Sequence, residues 1–380
     1  MTRKITSNSQ TIANSRDVSR YRWASVWAMA MFAQAPKDFS ESDFPEPEMI
    51  DPKSVPSLRW GILGAGDIAE VFADTLQKNT TQQIVAVASK TPGKGEAFAS
   101  RFGIPRTYTS YEALVDDAEV DAVYVATLPH THKSDALLAI GAGKHVLIEK
   151  PSALLASDAE EIYSSAKNAG VFAMEAMWSR YLPQASILRQ LIHSGAIGEI
   201  EVLQADFGQD NRTIERLWIP GQSSIMHDMG IYPLSFAQML LGDPASISAT
   251  GTLHEGTSES FASAVLEYDS GARAVITVSG KAHLPTIAAV SGTLGVALVD
   301  GPFFVPTALE LRPALFSAHG PRWTHEGPIQ GHAGLCYQVD HFAHYVGQGL
   351  SESPLHTHHD TLSVIRTGEE IRRQVGVSIP

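Results

Sequence analysis

One stretch constrains this chain of 380 residues more than any other: Leu58-Arg-Trp-Gly-Ile-Leu-Gly64-Ala-Gly66-Asp-Ile-Ala69. A short apolar run ends in closely spaced glycines and passes straight into Ile68, Val71, Phe72 and Leu76, which are spaced for one face of a helix. Strand, tight turn and helix in that order open a βαβ unit, the setting that gives G-x-G-x-x-A a physical meaning. Gly64 stands where the chain turns sharply, Gly66 where a Cβ would keep a ligand off the backbone, and Ala69 where helix meets strand. The first helical N–H groups, at Asp67 and Ile68, are then available to an anion, and a dinucleotide pyrophosphate is the ligand expected. A plain tight turn with glycines for φ alone is the competing reading, and it explains less of the context.

The rhythm continues downstream. Ile84–Ala88 precedes a helical stretch from Gly93 to Phe102, Ala122–Ala126 precedes a helix ending near Gly141 or Gly143, and His145–Ile148 makes a further strand. Ser157-Asp-Ala-Glu160 has the spacing of a capping box for the next helix. Continuous apolar strands alternating with helices predict a doubly wound α/β Rossmann domain over residues 58–178, its parallel sheet covered on both faces. After Arg180 the pattern changes to longer alternating segments: 199–206, 245–253, 258–268, 272–279, 286–291 and 295–299, with Asp269-Ser-Gly271 as hairpin punctuation. An α+β domain with a large, mostly antiparallel sheet is therefore expected over 179–380, closing on an amphipathic helix through Leu362, Ile365 and Ile371.

Residues 36–57 hold five prolines and several acids without apolar period, which reads as an extended, mostly solvated lead-in within a 1–57 extension. The apolar run Trp23–Ala33 is too short to cross a bilayer. A signal peptide fits it poorly, because a long polar stretch precedes it, the arginines form no adjacent pair, and Pro36 follows the cleavage point. A frayed arm, a helix for a partner subunit, or a true start at Met29 or Met31 are the readings left open.

A net charge of −13 repels nucleic acid and anionic membranes, so neither is an expected partner. The single cysteine, Cys336, excludes an internal disulfide and suits a reducing cytoplasmic compartment. His356, His358 and His359 lack ordered carboxylate spacing and read as a solvated loop, so no metal is expected.

An NAD site places a carboxylate on the ribose at the end of the second strand. Here that position reads Ser89-Lys90-Thr91, 25 residues past Gly64 at Ser89, with Lys94 close by and no acid. A hydroxyl and ammonium groups suit a 2′-phosphate, so NADP is expected ahead of NAD. The simpler reading leaves Lys90 solvating a loop.

Glu149-Lys150-Pro151 at the end of the fifth strand, with Pro129-His-Thr-His132 after the fourth, resembles the Gfo/Idh/MocA oxidoreductase family. The resemblance runs from about Leu58 to the C-terminus and takes in Met174-Glu-Ala-Met-Trp178-Ser-Arg180, Asp228-Met-Gly-Ile-Tyr232 and Ser291-Gly-Thr-Leu-Gly295. Within the family, the Tyr-ended motif is similar to dimeric dihydrodiol dehydrogenases and NADP-linked D-xylose 1-dehydrogenases; inositol dehydrogenases end it in His. His130 stands where relatives carry Asn, and residues 1–43 have no counterpart. The resemblance implies a homodimer or higher homo-oligomer acting on a small polyol or sugar. It also implies that Lys150 and Tyr232 are the catalytic pair and that Trp178 and Arg180 lie near the nicotinamide pocket, on the substrate side. A core indole with a surface guanidinium is the plainer reading of those two.

The residues carry a chemical argument of their own. Hydride transfer from an alcohol carbon requires removing the hydroxyl proton, and the reverse requires supplying one. A tyrosine with pKa near 10 can do so if that value falls by about 2–3 units, roughly 3–4 kcal/mol. One ammonium about 4 Å away supplies about 4 kcal/mol at an effective dielectric near 20, so Lys150 is expected to acidify Tyr232. Asp228, four residues before Tyr232, would share its face if the segment is helical, and would orient Lys150 or a substrate hydroxyl. Pro233 suggests that the helix begins or kinks there. An N-terminal helix carboxylate and a half-buried interface phenol are the plainer readings of Asp228 and Tyr232. Leu128, Pro129, His130, His132 and Glu149 sit at the C-terminal edge of the sheet, where doubly wound folds bind ligands.

An NADP-preferring oxidoreductase acting on a hydroxyl of a small cyclic polyol, an aldose at C1 or a trans-dihydrodiol, is the function expected. An NAD-dependent glycosidase-like enzyme that recycles its bound cofactor, and a non-catalytic dinucleotide-sensing regulator, are the alternatives. A regulator has no need of Lys150 and Tyr232.

Overall fold

A computed structural model describes residues 37–314 and 319–379. Its first half runs β1 (Arg59–Leu63), α1 (Asp67–Asn79), β2 (Gln83–Ala88), α2 (Lys94–Phe102), β3 (Arg106–Tyr108), α3 (Tyr111–Val115), β4 (Ala122–Val125), α4 (His132–Gly141), β5 (His145–Ile148), α5 (Ala156–Ala169) and β6 (Ala173–Glu175). The six strands pair in the order β3-β2-β1-β4-β5-β6, every pair parallel. This is the expected doubly wound Rossmann sheet. All four residues of β4 are buried, which is why the strand reads as a continuous apolar run. The order reverses between β1 and β4, opening a crevice at their C-terminal ends.

The second half holds α6 (Pro183–His193), β7 (Ile200–Gly208), α7 (Ile231–Leu241), β8 (Ser246–His254), β9 (Ser258–Glu267), β10 (Arg273–Ser279), β11 (Ala288–Gly292), β12 (Gly295–Val299), β13 (Ala308–Pro313), β14 (Arg322–Thr324), α8 (Leu335–Gly347) and α9 (His358–Val375). Its sheet has eight strands in the order β14-β13-β12-β11-β7-β10-β9-β8, antiparallel except at β7–β10. The 269–271 hairpin is present, with Gly271 at φ +89°. Residues of α7 and α9 pack with the sheet in one core that includes Leu234, Ile276, Val290 and Ile371. Helix α8 returns to the first sheet, where Phe342 meets Trp60 at 4.8 Å and Phe172 at 4.9 Å between ring centroids.

Two expectations are corrected and one is qualified. Ser157-Asp-Ala-Glu160 caps nothing: α5 begins at Ala156, so Ser157 is already inside it, and the Ala156 N–H donates to the Glu369 carboxylate of α9 instead. A capping box does open α9, from Thr357 and Asp360. The lead-in is mostly exposed, as expected, but it is anchored at several points. Phe39 and Phe44 pack on the second core and Ile50 on the first, Val55 is buried, and the Glu48 N–H donates to Ser186 Oγ at 2.9 Å. The His356–His359 stretch is not a solvated loop: His356 is fully buried against Glu175, and His358 stacks on Tyr163.

Among the described residues no helix is long and apolar enough to cross a membrane. The Trp23–Ala33 run, with the readings attached to it, lies outside the described residues.

Candidate active site

The strand-order crevice is a cleft of about 720 Å³ running from the turn after β1 to residues of the second half. Its first end is built by backbone. Gly64 has φ +95°, and a Cβ there would stand 2.6 Å from the Ala126 carbonyl oxygen, so only glycine makes this turn. Gly66 is different: a Cβ there would meet nothing within 4 Å and would project into open space. No side chain caps α1, and the N–H groups of Asp67 and Ile68 meet no acceptor among the described residues. Unspent donors at the start of a 13-residue helix, with nothing standing over Gly66, fit a dinucleotide pyrophosphate.

Ser89, Lys90 and Lys94 line the same end, and no carboxylate stands at the end of β2. Ser89 Oγ accepts the Thr91 N–H at 3.2 Å, and Lys90 Nζ lies 4.1 Å from the centre of the Tyr111 ring. Exposed Leu128 and Pro129 form part of the wall. The two histidines after β4 part company. His132 is buried, its Nδ1 2.7 Å from the Pro151 carbonyl and its Nε2 3.1 Å from the Thr127 carbonyl, and burial lowers its pKa. Its ring ties two loops together. His130 faces a separate cavity of about 610 Å³ beside Lys133 and Leu155, not the cleft.

At the other end three predicted residues meet. Lys150 Nζ donates to the Asp228 carbonyl at 2.9 Å and to its Oδ1 at 3.3 Å, and lies 5.0 Å from the centre of the Tyr232 ring. Burial by itself would depress the lysine pKa; Tyr232, Asp228 and Glu149 more than offset it and hold the ammonium charged. Burial pushes Asp228 up, but Lys150 and Arg216 outweigh it and keep the carboxylate ionised below its usual range. One π-helical turn, Met226–Gly230, runs directly into α7 and carries Asp228, so Pro233 lies within continuous helical backbone, and the Asp228 carbonyl takes its hydrogen bond from Lys150 Nζ. Glu149 is buried, accepts from the Tyr124 hydroxyl and from the Lys150 N–H at 3.1 Å, and is pushed up by burial.

Tyr232 departs from expectation. Trp178 Nε1 donates to its hydroxyl at 3.0 Å, and its ring stacks on Phe304 at 4.4 Å. Burial raises the phenol pKa above 10, and the lowering effects of Lys150 and Trp178 do not overcome it. The ammonium sits over the ring face, so the resting phenol keeps its proton. Arg180 is also corrected. It is buried beside α7, giving its N–H groups to Ser235 and Gln238, and lies outside the cleft.

Among the cleft residues that escaped the sequence reading, two lie at the Lys150 end and carry charge or a titratable ring. Arg216, on a short turn at Glu215–Leu217, places Nη2 3.4 Å from Asp228 Oδ2. His332 stacks on Trp178 at 5.6 Å, with its pKa lowered by burial and by Lys150. Neither belongs to a spaced motif, and only the folded chain brings them to Lys150.

Comparison with known proteins agrees with this architecture. A family described as an oxidoreductase family with an NAD-binding Rossmann fold matches residues 58–177, and the GFO/IDH/MocA C-terminal domain matches 186–298. Trans-1,2-dihydrobenzene-1,2-diol dehydrogenase of Mus musculus is 36% identical over 337 residues, 85% of this chain and 98% of the relative. The chain belongs to the Gfo/Idh/MocA oxidoreductase family. The Sus scrofa protein of the same name is 34% identical with the same coverage. Among solved structures, aldose-aldose oxidoreductase from Caulobacter crescentus superposes with a TM-score of 0.74 at 26% identity, covering 84% of this chain and 98% of that one. Levoglucosan dehydrogenase, solved with NADH and levoglucosan, shares the fold at a TM-score of 0.75 and 19% identity, covering 84% and 97%.

Proposed function

We propose that this protein is an NADP-preferring dehydrogenase that moves a hydride between the nicotinamide and a hydroxyl-bearing carbon of a small cyclic polyol, an aldose at C1 or a trans-dihydrodiol. One observation carries the reading: Lys150, Asp228 and Tyr232 converge in the same cleft whose opposite end is an anion cradle. The relatives named for dihydrodiol oxidation and the neighbour named for aldoses support the substrate class. The Ser89, Lys90 and Lys94 set, without a carboxylate, supports NADP.

When bound, the nicotinamide supplies the two-electron hydride chemistry. The chain supplies the rest. Asp67 and Ile68 would hold the pyrophosphate through their N–H groups, and Lys90 and Lys94 would attract the 2′-phosphate. Tyr232 holds a proton at its hydroxyl oxygen, where it can pass to a carbonyl oxygen during reduction. Giving up that proton leaves a phenolate that the Trp178 N–H and Lys150 stabilise; in the oxidising direction the phenol first loses its proton to solvent, and the phenolate then takes the substrate's hydroxyl proton. Asp228 fixes the ammonium over the ring.

The test is NADPH formation across aldoses, inositols and trans-dihydrodiols, run beside NAD, for the native chain and Lys150→Met. We expect NADP to give the higher kcat/KM. We expect the variant to lose at least about 10³-fold in kcat/KM while still binding dinucleotide. Undiminished turnover by Lys150→Met would remove Lys150 from the reaction. Net NADPH release separates this activity from an enzyme that recycles a bound cofactor.

A further inference from the structure

Three charged side chains crowd the inner end of the cleft, and two are already committed to each other. Lys150 is pinned to both the backbone and the carboxylate of Asp228. Arg216 comes from another element and is held less closely. Its Nη2 reaches the two carboxylate oxygens of Asp228 at 3.5 and 3.4 Å, its side chain is one-third exposed, and its Nε and Nη1 meet no acceptor among the described residues. The backbone that carries it is nevertheless fixed. Leu217 is fully buried, Trp218 Nε1 donates to the Asn211 carbonyl at 3.2 Å, and the Trp218 ring fills the space over Gly280.

A guanidinium beside a carboxylate, both facing a ligand cleft, offers one donor face and one acceptor face in contact. A hydroxyl group is the small neutral function that answers both at once, because its O–H donates while its oxygen accepts. An ammonium ligand would meet Arg216 and Lys150 as like charges; a carboxylate would be drawn by those two cations but would have to displace Asp228 from them, whereas a hydroxyl meets both faces with that pairing intact. The reacting oxygen belongs to Tyr232 and Lys150 on the proposed reading, so the Asp228–Arg216 pair is left for a second hydroxyl.

We infer that Arg216, together with Asp228, reads the hydroxyl on the carbon next to the reacting one, which makes Arg216 a specificity-determining residue for vicinal diols. The inference rests on the proposed dehydrogenase activity, and it assigns a task to a side chain that activity does not itself require.

The experiment compares trans-cyclohexane-1,2-diol with cyclohexanol, for the native chain, Arg216→Met and Arg216→Lys. Two quantities are read: kcat/KM with NADP, and dissociation constants of each compound from the NADP complex by tryptophan fluorescence. A hydrogen bond to a charged group contributes about 1.5–3 kcal/mol, and these groups are partly exposed and already paired, so the native chain is expected to favour the diol by on the order of tenfold or more. Arg216→Met is expected to cut the ratio of diol to mono-alcohol at least tenfold, chiefly through the diol's KM, with Arg216→Lys intermediate. An equal loss for both compounds, or an unchanged ratio, overturns the inference. Thermal melts and NADP binding by the variants show that they are folded, so a collapsed chain is not mistaken for lost selectivity. If no hydroxyl is oxidised but the diol still binds selectively and Arg216→Met abolishes that selectivity, the dehydrogenase reading fails, and of this inference only the recognition of a vicinal diol by Arg216 stands.

Discussion

At the residue scale, burial decides what proximity cannot. The sequence places a lysine near a tyrosine and makes an acidic phenol plausible, but the acidity depends on where the ammonium sits and how much water remains. Neither is written in residue spacing. Lys150 lies over the face of Tyr232 and the phenol is dry, so its proton is held more tightly than in water. The same balance governs Asp340, buried in α8 with its Oδ1 unpaired among the described residues. Burial and the neighbouring Asp51 raise its pKa from 3.8 to about 7. Its folded-state pKa exceeds the unfolded one, so the stability it contributes is complete at low pH and is lost as pH climbs from about 4 through 7. Asp340→Asn removes the ionisation altogether. We expect the variant to melt at a higher temperature than the native chain at pH 8, with the difference shrinking as pH falls and nearly gone at pH 4. An equal shift at both pH values would show that charge is not the cause.

At the element scale, the glycine turn was legible because its demands are local. The β1–α1 turn needs a left-handed residue at one position and an open surface at another, and Gly64 and Gly66 supply them in sequence. The two glycines therefore separate on substitution. Gly64→Ala should destabilise the fold by about 1–3 kcal/mol, because it forces φ +95° on a residue with a Cβ and presses that Cβ on the Ala126 carbonyl. Gly66→Ala should melt close to the native temperature yet bind dinucleotide at least tenfold more weakly. Calorimetry and a dinucleotide titration distinguish them, and equal melting losses would refute the division. Elements whose causes are distant were not legible. β3 and β6 have three residues each, too few to show a period, and both exist because a neighbouring strand is there to pair with. The start of α5 is set by Glu369, more than 200 residues downstream. Arg216 and His332 belong to the same class.

For the whole molecule, the two-part plan was legible in the change of rhythm near Arg180, while the cleft between the parts and the path of the chain across them were not. The acid- and proline-rich lead-in carries no periodic signal, yet it runs across both halves. Phe39 sits against Gly295 of the second sheet, Gln190 of α6 donates to the Glu46 carbonyl, and Thr81, just before β2, donates to the Pro52 carbonyl. Partial burial of one aromatic ring contributes about 1 kcal/mol, so Phe39→Ala is expected to lower the melting temperature by about 2–4 °C. An unaltered melting temperature would mean that this segment does not grip the body of the protein.

Helix α8 joins that list. Its Val339, Phe342, Ala343 and Tyr345 complete the core around Trp60 and Phe172, although they lie far beyond the last strand of the first sheet in sequence. A gene fragment ending at residue 178 would encode every strand of the nucleotide half and still leave an oily wound where that helix belongs. The halves of this protein are separate as folds but not as polypeptides, and ribosomal synthesis must nearly finish before the earlier half is sealed.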